Sequence, residues 1–116
     1  MSELSVLTKR SDFLAAARGK SQGTPGFHLQ ARERSEGEES STPIRVGFTC
    51  SKKVGNAVAR NRAKRRLREA AAIILTEQGR PGWDYVLIGR RDATDQRNWQ
   101  DLLEDLRRGL GQIHGA

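Results

Sequence analysis

The chain has 116 residues, 35% of them hydrophobic, and carries 21 Lys and Arg against 14 Asp and Glu, a formal net charge of +7 with a sequence pI near 10.5. That is one domain's length with apolar material for one modest core, and the longest unbroken apolar run, Ala70 to Leu75, falls far short of the ~20 residues of a membrane span. No apolar stretch precedes Lys9 to act as a secretory signal, and the single cysteine can form neither an internal disulfide nor a cysteine-based zinc site, so a reduced, cytoplasmic, membrane-free protein is expected.

Ser11 followed by Asp12 predicts a helix start, with a short helix over 13–18 stopped by Gly19. Residues 19–26 read as turn chemistry. Phe27, Leu29 and Ala31 alternate with His28, Gln30 and Arg32, the pattern of a half-buried strand. Residues 33–43 are polar, include Glu33, Glu36, Glu38 and Glu39 and end in Pro43, which predicts a mobile, solvated acidic loop. A second strand is expected over 44–51, with Ile44, Val46, Phe48 and Cys50 on one face and Arg45, Gly47, Thr49 and Ser51 on the other. Gly47 takes a side chain off that second face, leaving room for a close approach or marking a bulge.

Lys52 to Asn56 read as a loop, and Asn56 suits the N-cap of a long helix from Ala57 to about Gln78, ended by Gly79 and Pro81. A third strand is expected over 84–90, with Tyr85, Leu87 and Gly89 opposite Val86 and Ile88. Asp95 is the expected cap of a last helix, in which Trp99, Leu102, Leu103, Leu106 and Leu110 keep the spacing of a buried stripe.

The positive charge is concentrated. Residues 52–68 hold eight cations (Lys52, Lys53, Arg60, Arg62, Lys64, Arg65, Arg66, Arg68) and no acid, whereas the remainder of the chain is nearly neutral. On a helical projection Ala59, Ala63, Leu67, Ala70 and Ile74 form a narrow apolar stripe, and Arg60, Asn61, Arg62, Lys64, Arg65, Arg66 and Arg68 fill the remaining arc. Like charges at i,i+4 repel by a few tenths of a kcal/mol per pair, and nothing inside the segment relieves this. A merely solvated basic face is the competing explanation. The concentration of charge and the lack of interleaved acids favour a polyanion that neutralises the array and releases its own counterions. Arginine outnumbers lysine five to one over 60–68, and its planar fork binds phosphate bidentately and stacks on bases. Asn61 both donates and accepts, as a base edge or 2′-hydroxyl requires. A helix-turn-helix is disfavoured because a strand, not a helix, precedes this helix.

No pair of acids has the spacing of a metal-dependent nuclease site; Asp84 and Asp92 stand singly. His28 and His114 read as surface side chains and Cys50 as a small buried hydrophobe.

The run Arg45-Val-Gly-Phe-Thr-Cys-Ser-Lys-Lys-Val-Gly-Asn-Ala-Val-Ala-Arg-Asn-Arg-Ala-Lys-Arg-Arg-Leu-Arg68 resembles the signature of the protein subunit of bacterial ribonuclease P, centred on Arg60-Asn61-Arg62. Ser11-Asp12-Phe13, the strand ending in Gly89-Arg90-Arg91 and the amphipathic last helix agree in outline. The resemblance implies a single RNA-binding domain over 1–116 with an α+β sandwich fold: a mixed sheet of three to four strands packed with helices, like the second domain of ribosomal protein S5. It implies a subunit of the endonuclease that removes the 5′ leader of precursor tRNA, monomeric apart from the RNA. Catalysis would rest with the RNA subunit and its Mg²⁺, and with no side chain of the protein.

By position, Arg60, Asn61, Arg62, Lys64, Arg65 and Arg68 would face ribonuclease P RNA. Phe13, Phe27, Phe48, Lys52, Lys53 and Arg90 would serve the leader of precursor tRNA. Two positions often aromatic in the family are Ala17 and Gln30 here. A ribosomal or ribosome-assembly RNA-binding protein of similar fold is the alternative.

Overall fold

Among the described residues, 4–35 and 44–115 of the computed structural model, five strands form one mixed sheet. They are β1 (Leu4–Val6), β2 (Lys20–Gly23), β3 (Phe27–Glu33), β4 (Ile44–Thr49) and β5 (Trp83–Gly89), in the order β1-β4-β5-β3-β2. β4 runs parallel to both β1 and β5, whereas β3 is antiparallel to β5 and β2. The helices are α1 (Arg10–Ala17), α2 (Ala57–Gln78), α3 (Ala93–Gln96) and α4 (Trp99–His114). Most of the expected acidic loop, 36–43, lies outside the described residues.

The expected α+β sandwich is present, with more strands than three to four because both sheet edges were illegible. β1 has three residues, too few to show alternation. β2 is Lys-Ser-Gln-Gly, which reads as a turn and becomes a strand because the free edge of β3 supplies its hydrogen bonds.

One face of the sheet carries the main core. Phe27, Leu29, Ile44, Val46, Tyr85 and Leu87 pack there against α2 and α4. Ala63, Ala70 and Ala71 are wholly buried beside Leu67, Ile74 and Leu75, so small side chains bring α2 close to the strands. Asn56 caps α2 as expected, its side chain accepting from the Ala59 amide at 2.9 Å. The cap of α4 is Asn98, which accepts from the amides of Gln100 and Asp101. Asp95, the expected cap, lies inside α3, because the backbone turns extended at Arg97 before the last helix begins. His114 is not a bare surface residue. Its Nε2 lies 2.8 Å from the Tyr85 hydroxyl and its ring stands edge-on to Trp83, pinning the end of α4 to β5. Burial, with the charges of Arg80 and Lys20, lowers its pKa.

α1 covers part of the other face, where Phe13 and Ile88 pack on a small cluster of Leu7, Ala16 and Val86. The question left open by Gly47 resolves as a close approach. A Cβ there would lie 2.6 Å from Cε1 of Phe13, so the ring occupies the space the missing side chain vacates.

Candidate nucleic-acid interface

The outer side of α2 presents Asn61, Arg62, Arg65 and Arg68 exposed, with Arg60 and Lys64 half-buried. Among the described residues no carboxylate forms an ion pair with Arg60, Lys64, Arg65 or Arg68. Two arginines of the expected front are engaged. Arg62 donates through Nε and Nη2 to the two carboxylate oxygens of Asp95, the second at 2.7 Å. This hydrogen bond holds the Asp95 carboxyl below its ordinary range and raises the pKa of Arg62. Arg66 has left the front. Its Nη1 donates to the carbonyls of Thr94 (2.8 Å) and Asp95 (2.7 Å), its Nη2 to that of Arg97, and its guanidinium lies over the Trp99 ring. Residues four apart share one side of a helix. That side of α2 meets α3, whose C-terminal carbonyls need donors.

Lys52 and Lys53 sit exposed in a single 3₁₀ turn at the mouth of α2, where the Ser51 hydroxyl accepts from the Lys53 amide. Cys50 is half-buried beside Gly89 at the rim of the core, and burial raises its thiol pKa.

The register places three rows across the α1 face. The first is Arg45–Asp84–Arg32, the second Gly47–Val86–Gln30–Ser21 and the third Thr49–Ile88–His28–Gly23. α1 covers the first two through Asp12, 3.4 Å from Arg45, and through Phe13. The third row stays more open: Thr49 is exposed and Ile88 and His28 are half-exposed. Arg90 borders it, with Nη2 3.1 Å from where a Gly23 Cβ would stand. Half-buried Phe13 packs beside Ile88 of this row, so the more open end of the sheet has an aromatic ring and a cation next to it.

Two residues expected to serve the leader are elsewhere. Phe27 is wholly enclosed in the main core and offers no ring face to a ligand. Phe48 also points to the face under α2 and α4, where it packs on that core. In a strand, odd and even positions face opposite ways, and both phenylalanines have the parity opposite to Gly47 and His28. Ala17 is exposed and Gln30 half-buried, so neither supplies a ring.

Asp84, which read as a solitary acid, is completely buried and ion-paired. Arg45 grips it through Nε (2.8 Å) and Nη2 (2.6 Å), Arg34 reaches it at 2.5 Å and Arg32 at 3.3 Å. Strand register brings Arg45 and Arg32 to Asp84, and Arg34 follows directly after β3. Among the described residues no three His, Cys, Asp or Glu side chains converge as a metal site. The buried acids Asp84 and Asp105 each face arginine, Asp105 at 2.6 Å from Arg97. The donor set of the described residues therefore offers no carboxylate cluster for Mg²⁺.

A small mixed-sheet α+β domain with an open cationic helix has the form of a basic nucleic-acid-binding protein. Residues 1–114 match the family model described as Ribonuclease P. The chain is 64% identical over 113 residues to the ribonuclease P protein component of Ruegeria pomeroyi, covering 97% of this chain and 89% of that one. It is 46% identical over 104 residues to that of Caulobacter vibrioides, covering 90% and 67%. Among solved structures, the RNase P protein from Thermotoga maritima superposes with a TM-score of 0.71 at 28% identity, over 92% of this chain and 96% of that one. The Staphylococcus aureus RNase P protein gives 0.71 at 26% identity, over 92% and 93%. The chain belongs to the ribonuclease P protein component family, and thus is a subunit of the endoribonuclease that matures the 5′ end of tRNA. The ribosomal alternative is not favoured. In this family catalysis resides in the RNA.

Proposed function

We propose that α2 docks the protein on ribonuclease P RNA and that the cleft under α1 holds the 5′ leader of precursor tRNA. The observation that carries this reading is the group of four cations, Arg60, Lys64, Arg65 and Arg68, that have no carboxylate partner among the described residues. A helix left with this repulsion is stabilised when phosphates approach it. Asn61 sits among them for a base edge or a 2′-hydroxyl, and Arg62 joins them through the free edge of its fork.

In the cleft, Phe13 offers a ring for a single-stranded base, Arg90 a charge for its phosphate, and Lys52 and Lys53 bridge toward α2. The cleft has one aromatic wall, with Ala17 and Gln30 where rings are often found, so leader binding leans on cations and backbone more than on stacking. Mg²⁺ supplies metal-ion catalysis at the RNA active site, and the protein acts by positioning substrate. No helix of the described residues is long and apolar enough to cross a membrane, and the expected working form is a cytoplasmic monomer of the protein on its RNA.

Reconstitution tests this reading. Mixed with ribonuclease P RNA, the protein should strongly stimulate precursor tRNA cleavage at low Mg²⁺ and cleave nothing without the RNA. The holoenzyme should bind precursor tRNA more tightly than mature tRNA. Phe13→Leu keeps the apolar contact but removes the flat ring, and should reduce that gain by about 1–3 kcal/mol. A gain unchanged by the substitution removes Phe13 from leader recognition.

A further inference from the structure

Asp95 is the one carboxylate among the described residues that forms an ion pair with α2, and the manner of its contact distinguishes a support from a mask. It engages Nε and Nη2 of Arg62, the side edge of the guanidinium. Nη1 makes no hydrogen bond among the described residues, and the Arg62 side chain remains 50% exposed while that of Asp95 is only 5% exposed. The acid lies beneath the arginine, not over it.

Asp95 is itself held from several directions. Arg66 donates to the carbonyls of Thr94, Asp95 and Arg97. The Thr94 hydroxyl donates to the Gly26 carbonyl at 2.5 Å and accepts from the Arg90 amide at 2.7 Å. α3 is thus a fixed platform, clamped by α2 on one side and by the β2–β3 turn and the end of β5 on the other.

We infer that Asp95 is a positioning residue for RNA binding: it holds the Nε edge of Arg62 so that the Nη1–Nη2 edge is presented as a preset fork for a backbone phosphate of ribonuclease P RNA. This rests on the assignment of α2 to RNA. A free arginine loses rotamer freedom when it grips a phosphate, whereas one already braced has lost it on folding. Arg66 gives up RNA contact to secure the brace, which accounts for one arginine of the helix facing inward.

The test is equilibrium binding of ribonuclease P RNA by the full chain, comparing wild type, Asp95→Asn, Arg62→Ala, the double variant and Arg65→Ala. Asp95→Asn should weaken binding about two- to tenfold, the ordering cost of one long side chain, and should have no effect once Arg62 is alanine. Equal or tighter binding by Asp95→Asn overturns the inference and makes Asp95 a mask. The same loss with and without Arg62 overturns it in favour of a purely structural role. Arg65→Ala separates the two levels. If it binds like wild type, the assignment of α2 fails and the inference falls with it; if it weakens binding while Asp95→Asn does not, the inference alone fails.

Discussion

A carboxylate taken wholly out of water costs several kcal/mol unless its partners are well placed. Asp84 meets that condition with Arg45 in a two-point grip and Arg34 and Arg32 beside it. Burial by itself would raise its pKa, but hydrogen bonds from Arg45 and Arg34 outweigh burial and hold it below the ordinary value. A folded-state pKa under the unfolded one means that the stabilisation is complete above the unfolded carboxylate pKa of about 3.9 and is lost as pH falls through the folded value. Removing the acid takes from half-buried Arg32, Arg34 and Arg45 the carboxylate that they share. Asp84→Ala should therefore cost about 3–5 kcal/mol in urea unfolding at neutral pH, and its stability should fall less steeply than that of wild type below about pH 4. A variant as stable as wild type, with the same acid dependence, would show that the arginines are satisfied without it.

At the scale of elements, α1 has eight residues and no capping side chain, and a helix so short is marginal alone. Its place is set by Asp12 against Arg45 and by the Phe13 ring in the space at Gly47. Gly47→Ala puts a methyl 2.6 Å from Cε1 and 2.7 Å from Cζ of that ring. The ring or the helix must shift, at a cost of about 1–3 kcal/mol, and the preference for leader-bearing substrate should fall with it. Thermal unfolding together with paired binding of precursor and mature tRNA checks this; wild-type values in both would mean the contact constrains nothing. The long elements were legible because each repeats its pattern several times: Ile44, Val46 and Phe48 along β4, or Ala63, Leu67, Ala70 and Ile74 along α2. β1, β2 and α3 were not, since three or four residues carry no period and their pairing or docking partners decide them. Asp95 and Asn98 are both good caps, and only the path of the chain through Arg97 selects Asn98.

For the whole molecule, the lopsided charge was readable, and it led to the correct family through residues 45–68. The division of labour among the arginines was not readable. A helical projection places Arg62 and Arg66 beside the other cations because it contains no neighbour, and α3 is the neighbour that recruits them. The placement of the phenylalanines was not legible for a similar reason: the strand parity that buries Phe27 and turns Phe48 toward the main core emerges only with the sheet assembled. Lys52 and Lys53 follow β4 and precede α2 in the chain, so the two RNA sites proposed above adjoin on one small domain. The most direct measurement of this account is the affinity of the chain for ribonuclease P RNA over a salt series, with Arg60→Ala and Arg65→Ala beside wild type. Binding should fall steeply with salt, and each substitution should weaken it by about 1–3 kcal/mol and reduce the logarithmic salt slope by about one. Affinity and slope unchanged in both variants would contradict the account.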